Sequence, residues 1–170
     1  AYTPGTRAGD WQFTPGFDFI AAPHWRAVRP FTLRAPAQFR VPAPPALTSA
    51  AYAAAFAEVQ ATGTQAAGAE RSAEQTQYAA YWYEFSDAGW NRVARVVARD
   101  RPQDLWQRAR TFALLNAVMA DAYIAGWDSK MHHNFWRPVT AIRQADRDGN
   151  PATRADAGWT PLLPTPPIQD

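Results

Sequence analysis

The sequence contains no cysteine, which excludes disulfide-stapled scaffolds, zinc–thiolate fingers and thiolate catalysis. No apolar run approaches the roughly 18 to 20 residues that a membrane-spanning helix needs, so we expect no membrane span. The formal net charge is only +2, which is too small to predict a nucleic-acid-binding surface. Lysine is almost absent as well, because Lys130 is the single lysine among the 17 basic residues.

The 170 residues are enough for one folded domain, since 47% of them are hydrophobic and only 19% are charged. The chain begins at Ala1, with no basic segment and apolar stretch ahead of it. Such a start is typical of a removed signal peptide or of a trimmed N-terminus. Together with the absence of cysteine, it leads us to expect a secreted or periplasmic bacterial protein.

Proline divides the chain into three zones. Most of the 15 prolines lie within residues 1–48 and 151–170, and only Pro102 and Pro138 lie between these ends. Because proline lacks the amide donor and clashes inside a helix, the alanine-rich centre predicts helices. We therefore predict an all-α fold: a helical bundle over residues 49–170, preceded by an extended, aromatic- and proline-rich N-terminal arm over residues 1–48.

The arm carries too many aromatic residues for a solvated linker. We expect it to pack on the bundle and to bury its rings there. These aromatic residues include Trp11, Phe13, Phe17, Phe19, Trp25, Phe31 and Phe39.

Capping patterns predict where four helices begin. The predicted starts are Thr48 or Ser49, Ser72 with Gln75 three residues later, Asp87, and Asp100 followed by Pro102. We expect the first helix to end near Gly63 and the second to carry Tyr78, Trp82 and Phe85 on its apolar face. The fourth is predicted to be the longest, with apolar residues at helical spacing as far as Trp127.

Lys130 and Arg137 are seven residues apart, which corresponds to about two helical turns. If one helix continues through both, the two cations lie on the same side, where they can hold the oxygens of a tetrahedral oxyanion. Pro138 would then break or restart the helix directly after Arg137. The alternative is that both are solvated surface charges, but the surrounding aromatic residues, Trp127 among them, are unusual for a solvated face.

The segment resembles a known family. Lys130, six intervening residues, Arg137 and Pro138 match the K-x6-R-P first signature of the type 2 phosphatidic acid phosphatase and vanadium-dependent haloperoxidase superfamily. Trp127 before the lysine and the run Phe-Trp-Arg-Pro at 135–138 are similar to the soluble haloperoxidase-like branch. Residues 164–170 are similar to the run that leads into the second signature, P-S-G-H.

The resemblance implies that Lys130 and Arg137 bind vanadate as the cofactor of a haloperoxidase, or the substrate phosphate of a phosphatase without a cofactor. Trp127 would line the same pocket. We expect no separate group of side chains that binds a metal ion. The expected substrates are halide with peroxide, or a phosphoester. Neither P-S-G-H nor the third signature, S-R-x5-H, occurs within residues 1–170. We therefore expect residues 1–170 to be an N-terminal portion that lacks the catalytic histidines and is inactive without the remainder of the enzyme.

A non-enzymatic function remains the alternative hypothesis to an enzyme. In it, the chain is a helical module that uses the basic pair to bind an anionic or protein partner. A second copy of the chain, in a homo-oligomer, could also cover the apolar helix faces. Of the two hypotheses we favour the enzyme, because the sequence contains the K-x6-R-P signature.

Other polar residues predict structure rather than chemistry. His132 and His133 are adjacent, so on a helix they point about 100° apart and cannot easily share a ligand. Asp121 lies on an apolar helix and is expected to pair with Arg137 or with another arginine. Residues 146–150 lack the spacing of a calcium loop and are predicted to form a turn.

Overall fold

A computed structural model describes residues 2–169 of the chain. Within that range the secondary structure is all-α, with no β-strand, as predicted. The five α-helices are α1 (Ala50–Thr62), α2 (Ala73–Trp82), α3 (Ser86–Asp100), α4 (Leu105–His133) and α5 (Pro138–Arg143). Short 3-10 turns occur at Pro23–Ala27, Pro36–Phe39 and Ala145–Arg147. None of the helices in the described part is long and apolar enough to cross a membrane.

The predicted starts of α1 and α2 are confirmed. The Ser49 side chain accepts a hydrogen bond from the Tyr52 amide and caps α1, and Gly63 follows its last residue. Ser72 and Gln75 form the predicted capping box, in which each side chain accepts from the other residue's amide. The prediction for Phe85 is wrong, because α2 ends at Trp82 and Phe85 precedes α3 as its N-cap residue.

The starts of α3 and α4 differ from the prediction. Asp87 lies inside the first turn of α3 and does not cap it. Asp100 is the last residue of α3, and α4 begins only at Leu105. The reason is a second capping box downstream, in which the Asp104 amide donates to Gln107 and the Gln107 amide donates to Asp104.

The expected continuous helix through Lys130 and Arg137 is also wrong. α4 ends at His133, and Asn134 adopts φ 49°, a left-handed conformation that stops a helix. The chain is extended at Arg137, which is the N-cap residue of α5. Pro138 opens α5, so the helix restarts directly after Arg137, which is one of the two predicted outcomes; proline is well tolerated in a first helical turn.

One compact unit consists of the described residues of Ala1–Pro23, Val41–Gln75 and Lys130–Asp170. Its core forms where α1 meets α5. The largest buried side chains of this core are Tyr52, Phe56, Trp136, Ile142 and Trp159. Trp159 also donates its indole N–H to the Gln60 carbonyl, 3.0 Å away, which ties the C-terminal loop to α1.

The second compact unit consists of His24–Arg40 and Thr76–Ser129. In this unit the segment before Val41 contacts α4, where Asp121, Ile124 and Asp128 are buried. Ile124 is completely shielded from solvent. The aromatic rings of α2 and α3 contact one another, as between Trp82 and Trp90, yet both rings remain exposed.

The N-terminal arm buries only part of its aromatic surface. Trp11 is fully buried, whereas Phe17, Phe19, Phe31 and Phe39 are exposed. The expectation that the arm buries its rings is therefore wrong for these four phenylalanines. The domain boundary at residue 48 stays a prediction.

Candidate functional site

Lys130 lies in the last turn of α4. Its Nζ donates to the backbone carbonyl oxygen of Gln169 over 3.0 Å. The Asn134 amide donates the last helical hydrogen bond, to the Lys130 carbonyl, and the left-handed conformation of Asn134 then ends α4. Lys130 thus lies close to the point where the chain changes direction.

Arg137 lies in the extended link between α4 and α5. Its Nε donates to the carbonyl oxygen of Ile168 over 2.5 Å. On either side of it, the Trp136 and Val139 side chains are buried in the core. Local packing therefore fixes the backbone from which the guanidinium extends.

The structure thus brings Lys130 and Arg137 together on consecutive carbonyl groups. That route differs from the one the sequence predicted, since a change of chain direction replaces a common helix face. Two cations of different shape converge on one short stretch of backbone, a compact ammonium and a planar guanidinium. Both donate to oxygen atoms, which is the chemistry that an oxyanion needs.

The stretch that they hold, residues 166–169, is itself anchored. Thr14 donates its hydroxyl to the Pro166 carbonyl over 3.0 Å, and the Ala21 amide donates to the Pro167 carbonyl over 2.7 Å. The fully buried Gln169 side chain donates to the Tyr2 hydroxyl and to Asn134, each over 3.3 Å. The carbonyl oxygens that face the two cations are therefore held in place from several directions.

Trp127 lies one turn before Lys130 on α4 and is partly buried. Its ring contacts that of Tyr123, with ring centroids 5.6 Å apart. Its place in the binding pocket stays a prediction, as do the functional roles of Lys130 and Arg137.

Asp121 does not take the predicted arginine partner. Its carboxylate accepts hydrogen bonds from the amides of Phe31, Thr32 and Leu33 and from the Thr32 hydroxyl. Burial by itself would raise the pKa of Asp121, but the Thr32 hydroxyl and the three amides outweigh it and hold the pKa below 3.8. A cluster of backbone donors thus takes the place of a counter-ion.

Sequence reasoning missed a second buried carboxylate, Asp128, and its partner Arg40. The guanidinium donates from Nε over 2.7 Å and from Nη2 over 3.0 Å to the two carboxylate oxygens. The available signal was spacing, because Asp128 follows Asp121 by seven residues and so falls on the same helix face. Nothing in the sequence pointed to Arg40, which lies 88 positions earlier.

The two histidines and the 146–150 segment, for which the sequence predicts structural roles, make structural contacts. His133 forms a hydrogen bond of 2.9 Å with the Val41 carbonyl, and its ring contacts that of His132. The 146–150 segment is a turn, as predicted, in which the buried Asp148 accepts from the Asn150 amide and from Thr153. Among residues 2–169, no three histidine, aspartate or glutamate side chains form a group that could hold a metal ion.

Comparison with known proteins finds similarity to the same family that the signature resembles. Residues 110–170 match the model of the VCPO second helical-bundle domain. Vanadium chloroperoxidase of Curvularia inaequalis is 31% identical over 109 residues, which is 55% of this chain and 17% of that protein. The crystal structure of the first bacterial vanadium-dependent iodoperoxidase is 31% identical with a TM-score of 0.80, and the match covers 95% of this chain and 40% of that chain.

These matches confirm the resemblance to vanadium-dependent haloperoxidases and the all-α fold. The chain carries a haloperoxidase-like helical domain. It spans less than half the length of either relative.

Proposed function

We propose that the protein is a vanadium-dependent haloperoxidase in which Lys130 and Arg137 bind vanadate. The observation that carries this proposal is the convergence of the two cations on the consecutive carbonyl oxygens of Ile168 and Gln169. Two preorganised cations that point at one place can stabilise charge on an oxyanion without reorganising when it binds.

The donor set fits vanadate. An oxyanion offers charged oxygens, which are stronger acceptors than the neutral carbonyl oxygens that Lys130 and Arg137 contact here. Arg137 supplies a planar fork suited to two oxygens, and Lys130 supplies a compact positive charge. When bound, vanadate supplies the chemistry by which peroxide oxidises halide. The role that we assign to the two side chains is to bind and orient it.

Halide oxidation is favoured over phosphoester hydrolysis as the reaction. The same pair of cations would bind phosphate, so their chemistry alone does not separate the two. The names of the two relatives support halide oxidation for the proposal, because one is a chloroperoxidase and the other an iodoperoxidase. The small-molecule partners of the proposal are therefore halide and peroxide, with vanadate as the cofactor.

Isothermal titration of vanadate into the intact protein tests the binding site. We expect Lys130→Ala and Arg137→Ala each to weaken binding by about ten- to a hundredfold, the loss of one charge-assisted hydrogen bond. Arg143→Ala is the matched control, because Arg143 also donates its Nε to a carbonyl, that of Trp159 over 2.9 Å. Unchanged affinity in the Lys130→Ala/Arg137→Ala double variant would remove the proposal.

Activity assays test the reaction. Because residues 1–170 contain neither P-S-G-H nor S-R-x5-H, the assay uses a protein that also contains the remainder of the enzyme. In that protein we expect peroxide-dependent halide oxidation that requires added vanadate and is lost in the double variant. If the wild-type protein instead hydrolyses a phosphomonoester and vanadate only inhibits it, then the phosphatase is correct and the haloperoxidase is not.

A further inference from the structure

The last turns of α4 are attached to the segment before Val41 by a bidentate ion pair. Arg40 donates to both carboxylate oxygens of Asp128, at 2.7 and 3.0 Å. The Asp128 side chain is 6% exposed and that of Arg40 is 30% exposed. A fork that meets a carboxylate in two bonds fixes orientation as well as distance, which a single contact does not.

A second attachment lies two turns earlier on the same face of α4. There Asp121 accepts three backbone amides, from Phe31 to Leu33. Ile124 lies between the two carboxylates and is fully buried. Two fixed points about 10 Å apart along a helix set both its rotation and its position along its axis.

Asp128 precedes Lys130 by two residues, so the two side chains leave α4 about 200° apart. The ion pair therefore holds one side of the turn, and Lys130 extends from the other. Because α4 ends three residues later, this turn is the part of the helix that is most prone to fraying. A clamp on Asp128 limits how far the Lys130 ammonium can move.

We propose that Arg40 and Asp128 are positioning residues, which set the place of the Lys130 ammonium and thereby the affinity for the oxyanion. The proposal deepens the proposed function and rests on it. A bound oxyanion is sensitive to such placement, since functional groups must be held within about 0.5 Å of their productive geometry. In this proposal both residues act through the helix and not by contact with the oxyanion.

The sharpest test is Arg40→Lys, because it keeps the positive charge and removes the fork. Vanadate affinity of the intact protein is measured by titration, together with the thermal unfolding midpoint without vanadate. Arg92→Lys is the control, because it alters an exposed ion pair, Arg92 with Glu84, in the same unit. Asp128→Asn provides a second variant that preserves shape and removes the charge on the other partner.

We expect Arg40→Lys and Asp128→Asn to weaken vanadate binding by about tenfold or more, at temperatures where both are folded, and Arg92→Lys to leave it unchanged. A lower unfolding midpoint with wild-type vanadate affinity would overturn the proposal, because the pair would then only stabilise the fold. Should Arg40→Lys not fold, the same two outcomes are read from Asp128→Asn. If Lys130→Ala binds vanadate like the wild type, the proposed function itself fails and this inference fails with it.

Discussion

Lys130 and Arg137 donate to the carbonyl oxygens of two consecutive residues, although one lies at the end of α4 and the other precedes α5. A straight helix would have placed their backbones about 10 Å apart along its axis. The left-handed Asn134 instead ends the helix between them. The spacing of seven residues therefore defines the sequence motif, but it does not describe how the two side chains are arranged in the site.

Replacing the fork of Arg137 by a point charge tests whether its shape matters. We expect Arg137→Lys to weaken vanadate binding by about tenfold, because a lysine cannot present two parallel donors to two oxygens. Titration of the intact protein gives the affinity. Arg143→Lys is the matched control and should bind vanadate like the wild type, since Arg143 also contacts a backbone carbonyl. Equal losses in both variants would show that the effect is not specific to the site.

Local patterns predicted the beginnings of α1 and α2 because their caps are made within a few residues. Ser49 and the Ser72–Gln75 box need no information from the rest of the chain. The predicted start of α4 was wrong, and the reason is local as well. Two capping patterns compete there, Asp100 before Pro102 and Asp104 before Gln107, and the reciprocal box forms at the second.

The partners of the buried carboxylates could not be predicted in this way. The burial of Asp121 on an apolar helix indicated that it needed a partner. Its donors are backbone amides about 90 positions earlier, which carry no side-chain signature. The Lys130–Arg137 pair was found because its residue types form a known signature, while the carbonyls that it contacts depend on how residues 166–169 are held.

The corrected start of α4 gives a direct stability test. We expect Asp104→Ala to lower the free energy of unfolding by about 1 kcal/mol, because it removes the cap from the Gln107 amide. Asp100→Ala is the control and should change it by less than about 0.5 kcal/mol, since Asp100 pairs with the exposed Arg99 at the surface. Urea unfolding measures both. A larger loss of stability in Asp100→Ala than in Asp104→Ala would instead support a helix that begins at Asp100.

Tyr52 provides a test at alkaline pH. Burial raises the pKa of Tyr52 to about 12, and the nearby charge of Asp148 adds to the rise. The Trp136 indole acts in the opposite direction, but it makes no hydrogen bond of regular geometry to the hydroxyl. The folded pKa lies above the unfolded value of 10.0. The contribution of Tyr52 to the free energy of unfolding is therefore complete below pH 10 and is lost as the pH rises towards 12.

We therefore expect the wild type to lose about 1 kcal/mol more than Tyr52→Phe between pH 7 and pH 11, as measured by urea unfolding. Tyr78→Phe, at an exposed position, should lose as much as the wild type. An identical alkaline loss in the wild type and in Tyr52→Phe would mean that the hydroxyl ionises as readily in the folded protein as in the unfolded chain.

Asp121 provides a test at acidic pH, because its pKa is lowered whereas that of Tyr52 is raised. Hydrogen bonds from Thr32 and from three amides outweigh the effect of burial and hold its pKa below 3.8. Because the folded pKa is lowered, its contribution to stability is complete above the unfolded value and is lost as the pH falls through the folded one. We expect Asp121→Asn to be less stable than the wild type at pH 7, because a neutral amide cannot accept the same set of donors. The difference should narrow as the pH falls below about 4.

Urea unfolding at pH 7 and pH 3 measures that difference, with Asp18→Asn as an exposed control. The control should stay close to the wild type at both values. A gap between wild type and Asp121→Asn that is the same at pH 3 as at pH 7 would show that the charge of the carboxylate is not what the amides of residues 31–33 recognise. The segment would then be held to α4 by the shape of the side chain alone.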